Sequence, residues 1–460
     1  MKAVTVTLRA QKRERAFKMV RPGFLLILIM CLAATPVFAV PKAPQAEGAM
    51  PNLPEREQWY KDLAVGMFIH WSVDSQLGAV ISHSLAGASD EYADRFFTEL
   101  PQTFEPRHFD ATEWARLARV AGMNYVMFTA KHHSGFCMFD TKTTPFNIMN
   151  TPYGKDITAE IVEAFRREGI AVGFYFSPED FWFLHQQGHP MARMRDYANP
   201  SMNPALRAHN TKQITELFNN YGPIDLAFLD AFDNDDAVAD IWAQDRNVVI
   251  TRGVMATPEQ KTPDAPMPSP WEACYTLGTQ WSFKPTNEDY KSGGNLINML
   301  IEIRAKGGAL LLNVGPEPSG RIPFEQERRI QEFALWMFVN GEAMYKVRPW
   351  HVIREGDIWF TKAKDDSALY AIITGEENWK RGVRKSFILK SARATEDTEI
   401  SVLGHGGELV EYNPKADATP RFAQKGNQLH ISVVRAQRLY NDQRWPNPVV
   451  VKLTHVEPMD

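Results

Sequence analysis

Between residues 63 and 316, short and nearly unbroken apolar runs alternate with stretches of helical periodicity. A sheet with one wet face alternates apolar and polar residues, so unbroken runs predict strands buried on both faces. The predicted strands are 65–71, 124–130, 170–176, 224–229, 247–251, 272–277 and 308–316. Helices are expected over 111–120, with Asp110 as cap and Glu113 at its third position, and from Asp156 to a stop at Gly169. Further helices are expected over 204–220, ended by Tyr221-Gly222-Pro223, and over 295–305 and 325–338. Residues 72–102 read as irregular and polar, and a loop of that length in a compact domain is usually functional. Strand and helix repeated this often predict an α/β fold, a parallel (β/α) TIM-like barrel, irregular because some helices are missing.

From residue 348 the texture changes to short alternating runs separated by turns, such as 358–361, 369–373, 399–403, 429–433 and 449–453. Strands at this spacing predict a C-terminal antiparallel β-sandwich. The expected division is 1–39 as a signal peptide, 40–347 as the barrel and 348–460 as the sandwich.

The N-terminus reads as a processing segment. Arg9, Lys12, Arg13, Arg15, Lys18 and Arg21 precede an apolar run over 24–34, and Val37-Phe38-Ala39 matches a small-x-small cleavage site. The expected product starts at Val40 and is periplasmic or secreted, without stable membrane insertion, because the run is short for a span. Cleavage removes Cys31 and leaves Cys137 and Cys274, too few for a disulfide framework, with pairing left open. A net charge of −4 over 460 residues argues against a nucleic-acid groove. The 12 Trp offer platforms for sugar rings or simply core filling.

In a parallel barrel the C-terminal strand ends share one mouth, where catalytic groups gather. Those ends carry His70 and Trp71, His132 and His133, Tyr175, Asp230 and Arg252; the segments that follow add Glu259, Glu272 and Trp281. Asp230 closes an apolar run, and burying a lone carboxylate is costly, although capping the next helix is the structural alternative. A single His is more often structural than functional, but three at strand ends are harder to dismiss. The set lacks a glycine-rich phosphate cradle and an HExxH helix, so it suits a polyol, and no cofactor or metal is expected. A metal-dependent hydrolase built on the three His would need an acidic ligand beside them. The chemistry that needs a carboxylate pair around a polyol is glycoside hydrolysis, with one carboxylate at the anomeric carbon and the other protonating the leaving oxygen. Neutral His and an Arg would hold the hydroxyls, and the Arg would keep the nucleophile ionised.

The motifs Gly66-Met67-Phe68-Ile69-His70-Trp71, Phe128-Thr129-Ala130-Lys131-His132-His133-Ser134-Gly135-Phe136 and Gly173-Phe174-Tyr175-Phe176-Ser177-Pro178 resemble those of the α-L-fucosidases of glycoside hydrolase family 29. So do Tyr221-Gly222-Pro223 through Asp230, Thr257-Pro258-Glu259-Gln260, Trp271-Glu272-Ala273-Cys274 and Leu311-Leu312-Asn313-Val314-Gly315-Pro316. The resemblance runs from about Trp59 to Arg348. It implies an exo-acting, retaining glycosidase that releases α-linked L-fucose from oligosaccharides or glycoconjugates, with Asp230 as nucleophile. It also implies His70, His132, His133, Tyr175 and Arg252 on the sugar hydroxyls. Trp71 and Trp281 are aromatic candidates for the same pocket. Glu259 in Thr-Pro-Glu is the first candidate acid/base and Glu272 in Trp-Glu-x-Cys the second.

The chain departs from the family where Phe228-Leu229-Asp230-Ala231 replaces Trp-Phe-Asp-Gly and where Ser134 replaces an Asp. The family's Glu-Trp pair in the first long loop has no counterpart, and Ile81-Ser82-His83-Ser84 or Asp90-Glu91-Tyr92 occupies the region. A non-catalytic binder of fucose-type sugars on the same fold, or a glycosidase for a related L-sugar, are the alternatives.

Overall fold

The computed structural model describes residues 51–231, 233–375, 378–380, 382–406, 417–435 and 447–459. The expected signal peptide and Cys31 lie outside the described residues.

Helix α1 (Pro54–Leu63) leads into strand β1 (Val65–Ile69). The chain continues through α2 (Asp90–Thr103), α3 (Ala111–Val120), β2 (Tyr125–Lys131), α4 (Ile157–Arg167) and β3 (Ala171–Phe176). Next come α5 (Phe181–Gln186), α6 (Pro204–Asn220), β4 (Leu226–Leu229), α7 (Asp235–Gln244) and β5 (Val249–Ile250). β6 (Glu272–Thr276), α8 (Gly293–Ala305), β7 (Ala309–Val314) and α9 (Phe324–Asn340) complete this part.

The strands form one parallel, curled sheet in the order β5-β4-β3-β2-β1-β7-β6. Their burial is nearly continuous, as the unbroken apolar runs require. The sheet stays open between β5 and β6, and the segment 256–260 lines that gap. Glu272 N donates to Ala256 O at 3.0 Å, Cys274 N to Pro258 O at 3.1 Å and Gln260 N to Cys274 O at 3.0 Å. This half-closed pairing brings Glu259 alongside Cys274.

Local chemistry fixes the helix starts. Asp110 accepts from Thr112 N and Glu113 N, Asp156 from Ala159 N and Asn203 from Leu206 N, each satisfying amides that the first helical turn leaves without partners. One helix departs from the expected irregular stretch: α2 occupies residues 90–103, capped by Ser89 through Tyr92 N. Its buried positions Ala93, Phe96 and Phe97 recur at helical spacing, so the irregular part ends at Ser89.

The C-terminal region holds β8 (Val347–Glu355), β9 (Ile358–Ala363), β10 (Leu369–Ile373), β11 (Arg384–Leu389), β12 (Ala392–Val402), β13 (Arg421–Lys425), β14 (Gln428–Val434) and β15 (Val449–Pro458). They pair antiparallel in two sheets, β12-β15-β10-β9-β8 and β11-β14-β13. Leu369, Ala371 and Ile373 from the first share one core with Leu389, Leu429 and Ile431 from the second.

Phe68, Met127, Tyr175, Phe228, Cys274 and Leu311 fill the inside of the curled sheet. Below them, at the N-terminal strand ends, Tyr60 and Tyr125 each donate to Glu272 Oε2 at 2.7 Å. Gly66 makes this possible, because a Cβ there would stand 2.5 Å from the Tyr125 ring. Gly66→Ala is therefore expected to lower the unfolding free energy by about 1–3 kcal/mol, as overpacking does, read as a lower urea midpoint at unchanged slope.

Candidate active site

Asp230 follows β4 at the C-terminal end of the sheet, its amide tied to Phe176 O at 3.2 Å. Its carboxylate does not cap a helix. Tyr175 donates to Oδ2 at 2.7 Å and Arg252 Nη1 to Oδ1 at 3.2 Å. Arg193 Nη2 lies 3.7 Å from Oδ1, and His133 Nε2 lies 3.5 Å from Oδ2. Burial pushes this carboxyl upward, but His133, Arg252 and Arg193 override it and hold the group well below the usual carboxylate range. The result is an anion, aimed into the mouth and ionised at any ordinary pH.

Arg252 leaves β5 and lies over the Phe228 ring at 4.5 Å. Thr257 Oγ1 accepts from its Nε at 3.1 Å, and its Nη2 donates to Glu259 Oε2 at 3.1 Å. One guanidinium thus bridges Asp230 and Glu259, and the Glu259 side chain keeps 43% of its surface exposed.

Each imidazole Nδ1 hydrogen-bonds a neutral partner, and His133 also lies between the Asp230 and Glu179 carboxylates. His70 Nδ1 pairs with Asn313 Oδ1 at 2.6 Å, His132 Nδ1 with Ser82 Oγ at 2.8 Å and His133 Nδ1 with Ser177 Oγ at 2.6 Å. Tyr175 stacks on His132 with centroids 5.0 Å apart, and Trp281 covers His70 at 5.0 Å. Burial drives the pKa of His70 down to about 3 and that of His132 well below its ordinary value. Both rings are neutral with Nδ1 already engaged, so each offers one nitrogen, Nε2, to a sugar hydroxyl; on His70, whose Nδ1 donates to Asn313 Oδ1, that nitrogen is an acceptor.

His70, His132, His133, Tyr175, Asp230, Arg252, Glu259 and Trp281 therefore converge on the mouth. Two expected residues do not. Trp71 is fully buried among Phe104, Phe109 and Trp114 with its Nε1 on Glu317 O at 3.1 Å. Consecutive residues leaving a strand point to opposite faces, so where His70 turns inward Trp71 turns out to the helices. Glu272 is the first residue of β6 and lies at the floor between Tyr60 and Tyr125, at the wrong end of its strand to meet a leaving group. Its burial raises its pKa.

Others went unseen in the sequence. Buried Glu179 accepts from Arg193 Nε at 2.5 Å and from Met194 N at 3.2 Å, which carries Arg193 to Asp230. Both sit in segments without strand or helix periodicity, and only the need of Asp230 for cations hinted at them. Ser177 and Asn313, which orient two of the imidazoles, lay inside the quoted motifs without a role of their own, and Ser82, which orients the third, was a polar residue of the first long loop. Cys137 and Cys274 are both buried free thiols.

Among the described residues, His132, His133 and Asp230 bring one possible ligand atom each within 4.8 Å of one another. Arg193 and Arg252 already hold the carboxylate of that group, and two guanidiniums oppose a dication there.

The sequence model of the alpha-L-fucosidase family matches residues 41–342. The chain belongs to that family. It is 27% identical to plasma alpha-L-fucosidase of Rattus norvegicus over 85% of this chain and 92% of the relative. It is 28% identical to tissue alpha-L-fucosidase of Homo sapiens, over 84% of this chain and 90% of the relative. Alpha-L-fucosidase isoenzyme 1 from Paenibacillus thiaminolyticus superposes with a TM-score of 0.68 at 26% identity, covering 88% of this chain and 99% of that one. An alpha-L-fucosidase from Bacteroides thetaiotaomicron, captured as a trapped covalent intermediate, shares the fold with a TM-score of 0.69 at 21% identity, over 89% and 98%.

In this α-L-fucosidase-family pocket the neutral imidazoles carry a pH signature. Unfolded His binds a proton near pH 6.5, whereas folded His70 binds one only near pH 3. Between these values the unfolded state binds more protons, so stability is full above about pH 6.5 and falls as pH drops, by roughly 1.4 kcal/mol per unit for each such His. Chemical denaturation across this range should show that slope, and His70→Gln should make it shallower.

Proposed function

We propose that the chain is an exported, retaining exo-α-L-fucosidase with Asp230 as nucleophile and Glu259 as acid/base. The observation that carries this reading is the single Arg252 guanidinium shared by the two carboxylates at the mouth. Asp230, held ionised by Tyr175, His133 and two arginines, attacks the anomeric carbon as the bond to the aglycone oxygen breaks. The departing oxygen takes its proton from Glu259, whose open position suits a group that must meet both aglycone and solvent. Glu259 then deprotonates the water that releases the sugar from Asp230 with its original configuration. The trapped covalent intermediate of the Bacteroides relative supports a two-step course. Fucosylated oligosaccharides or glycoconjugates are the substrates this reading implies.

On an aryl α-L-fucoside, Asp230→Ala is expected to lose on the order of 10⁴-fold or more in turnover. Glu259→Ala should lose less than about a hundredfold, because an activated leaving group needs little protonation. Added azide should yield the α-fucosyl azide from Glu259→Ala and the β-fucosyl azide from Asp230→Ala. Glu272→Gln should keep turnover and a chelator should leave it unchanged. Azide rescue of Glu272→Ala but not Glu259→Ala would sink the assignment, and a chelator-sensitive wild type would revive the metal reading.

Export rests on the basic and apolar N-terminal segment and on the family match, which takes up the chain two residues after Ala39. N-terminal sequencing of protein recovered outside the cytoplasm should start at Val40; an intact N-terminus would reject the leader.

A further inference from the structure

The turn over 81–85 holds a side chain that neither the reaction above nor the packing of the barrel uses. His83 is exposed, yet its ring stands edge-on to His132 and His133 with centroids 6.1 Å and 5.7 Å away. Partial desolvation, then His133 and Arg193, push its pKa below that of an ordinary imidazole, and the charges of Asp230 and Glu259 act back on it. Its ring thus shares the mouth with both proposed catalytic carboxylates. The other three imidazoles of the mouth each spend Nδ1 on a protein partner, whereas no protein hydrogen bond reaches the His83 ring among the described residues.

The backbone beneath His83 is built to hold it. Ser82 takes a left-handed conformation, φ +60°, that a non-glycine residue adopts only when its surroundings enforce it. Its amide donates to Asp74 Oδ2 at 2.5 Å, and the Asp74 carboxyl is fully buried. Ser82 Oγ pairs with His132 Nδ1 at 2.8 Å and accepts from Ser134 N at 2.8 Å, while Ile81 N donates to Ser282 Oγ at 3.1 Å. A buried carboxylate and a strained serine are costly for a surface turn. Together they lock the direction in which the next residue leaves, and that direction is the mouth.

We propose that His83 is a fourth histidine of the sugar pocket, one that hydrogen-bonds a ring hydroxyl of the substrate, and that Asp74 and Ser82 hold it in place. A neutral imidazole with both nitrogens open matches a hydroxyl as donor and acceptor at once. Asp74 and Ser82 are positioning residues that touch no substrate.

The inference rests on the α-L-fucosidase reading for its choice of probe. The test compares wild type, His83→Ala and His83→Gln on an aryl α-L-fucoside and on its 2-, 3- and 4-deoxy analogues. His83→Ala should lower kcat/KM about tenfold on the parent, as loss of one well-placed hydrogen bond does. On one deoxy analogue, and only one, wild type and variant should be equal. His83→Gln should recover part of the loss. Asp74→Ala should reproduce the same hydroxyl-selective loss, and Asp74→Asn, which still accepts from Ser82 N, should restore it. The exposed His83 carries the test whether or not Asp74→Ala folds. An unchanged His83→Ala, or an equal loss on every analogue, overturns the proposal. A wild type inert on the fucoside defeats the reaction reading instead. Calorimetry with L-fucose and its deoxy forms then decides His83 by the same comparison, and absence of any fucose binding overturns both.

Discussion

Lys131 and Asp180 form an ion pair with neither side chain exposed, and the active site hangs on it. Desolvating two charges costs several kcal/mol each, so such a pair persists only where every remaining donor and acceptor is met. Here Nζ reaches Asp180 Oδ2 at 3.2 Å and Asn210 Oδ1 at 3.1 Å, with the Phe176 ring 4.3 Å away. Phe183 N donates to Asp180 Oδ1 at 2.9 Å, and His209 Nε2 lies 3.4 Å from Oδ2. Burial would raise the Asp180 carboxyl, but Lys131 and His209 hold it far below the ordinary range. The pair ties the loop after β2 to the loop after β3. Phe181 N donates to His133 O at 2.8 Å, Trp182 N to Ser134 O at 3.1 Å and Ser177 N to Lys131 O at 3.0 Å. Gly135, at φ +85°, is required because a Cβ would stand 2.1 Å from Asp180 Oδ1. The position of His133 against Asp230 thus depends on charges that no sugar touches.

Above that pair the pocket separates two electrostatic tasks. Cations gather at the carboxylates: Arg252 and Arg193 both approach Asp230 Oδ1, and Arg252 also reaches Glu259. The walls that face the rest of the sugar are neutral, because burial keeps His70 and His132 from protonating. Charged walls would favour anionic ligands and retain water; neutral imidazoles discriminate hydroxyl geometry without that competition. The same burial that makes the walls selective makes the fold sensitive to acid.

Much of this arrangement was legible in the sequence, for reasons that particular residues make clear. Strands buried on both faces produce unbroken apolar runs, so the barrel and the strand end at Asp230 were readable, as were the caps Asp110 and Asp156. Glu272 opens its strand, as the predicted span 272–277 already had it, so the strand-end rule that picks out Asp230 places Glu272 at the floor; the Trp-Glu-x-Cys motif drew it to the mouth instead. Trp71 was misread because alternation was not carried one residue past β1. The helix α2 was hidden by the polar loop before it, although Ala93, Phe96 and Phe97 already held its spacing. Arg193 and Glu179 could not have been found this way, since their role is set by distances between segments far apart in the chain.

The C-terminal sheets act at the opposite end from the chemistry. Arg348 and Lys364 pair with Asp62 at 2.9 Å and 2.7 Å, where α1 runs into β1. Trp336 of α9 donates to Pro448 O at 2.9 Å, and Trp359, Tyr370, Ile372 and Val450 enter the same core as Trp336 and Met337. These contacts gather at the N-terminal strand ends, with the pocket at the C-terminal ends. A cleft of about 1210 Å³ opens there, lined by Trp59, Asp62, Arg166, Tyr345, Lys364 and Tyr370, without Asp230 or Glu259. Its polar groups are largely engaged: Tyr370 donates to Glu342 at 2.8 Å and Tyr345 to Gly122 O at 2.6 Å. The candidate active site is marked instead by convergence, with Asp230, Glu259 and three imidazoles at one mouth. A sheet pair that shares apolar core with α9 and clamps the end of α1 is a brace for the barrel. Its removal would strip cover from Trp336 and the core it shares with α9.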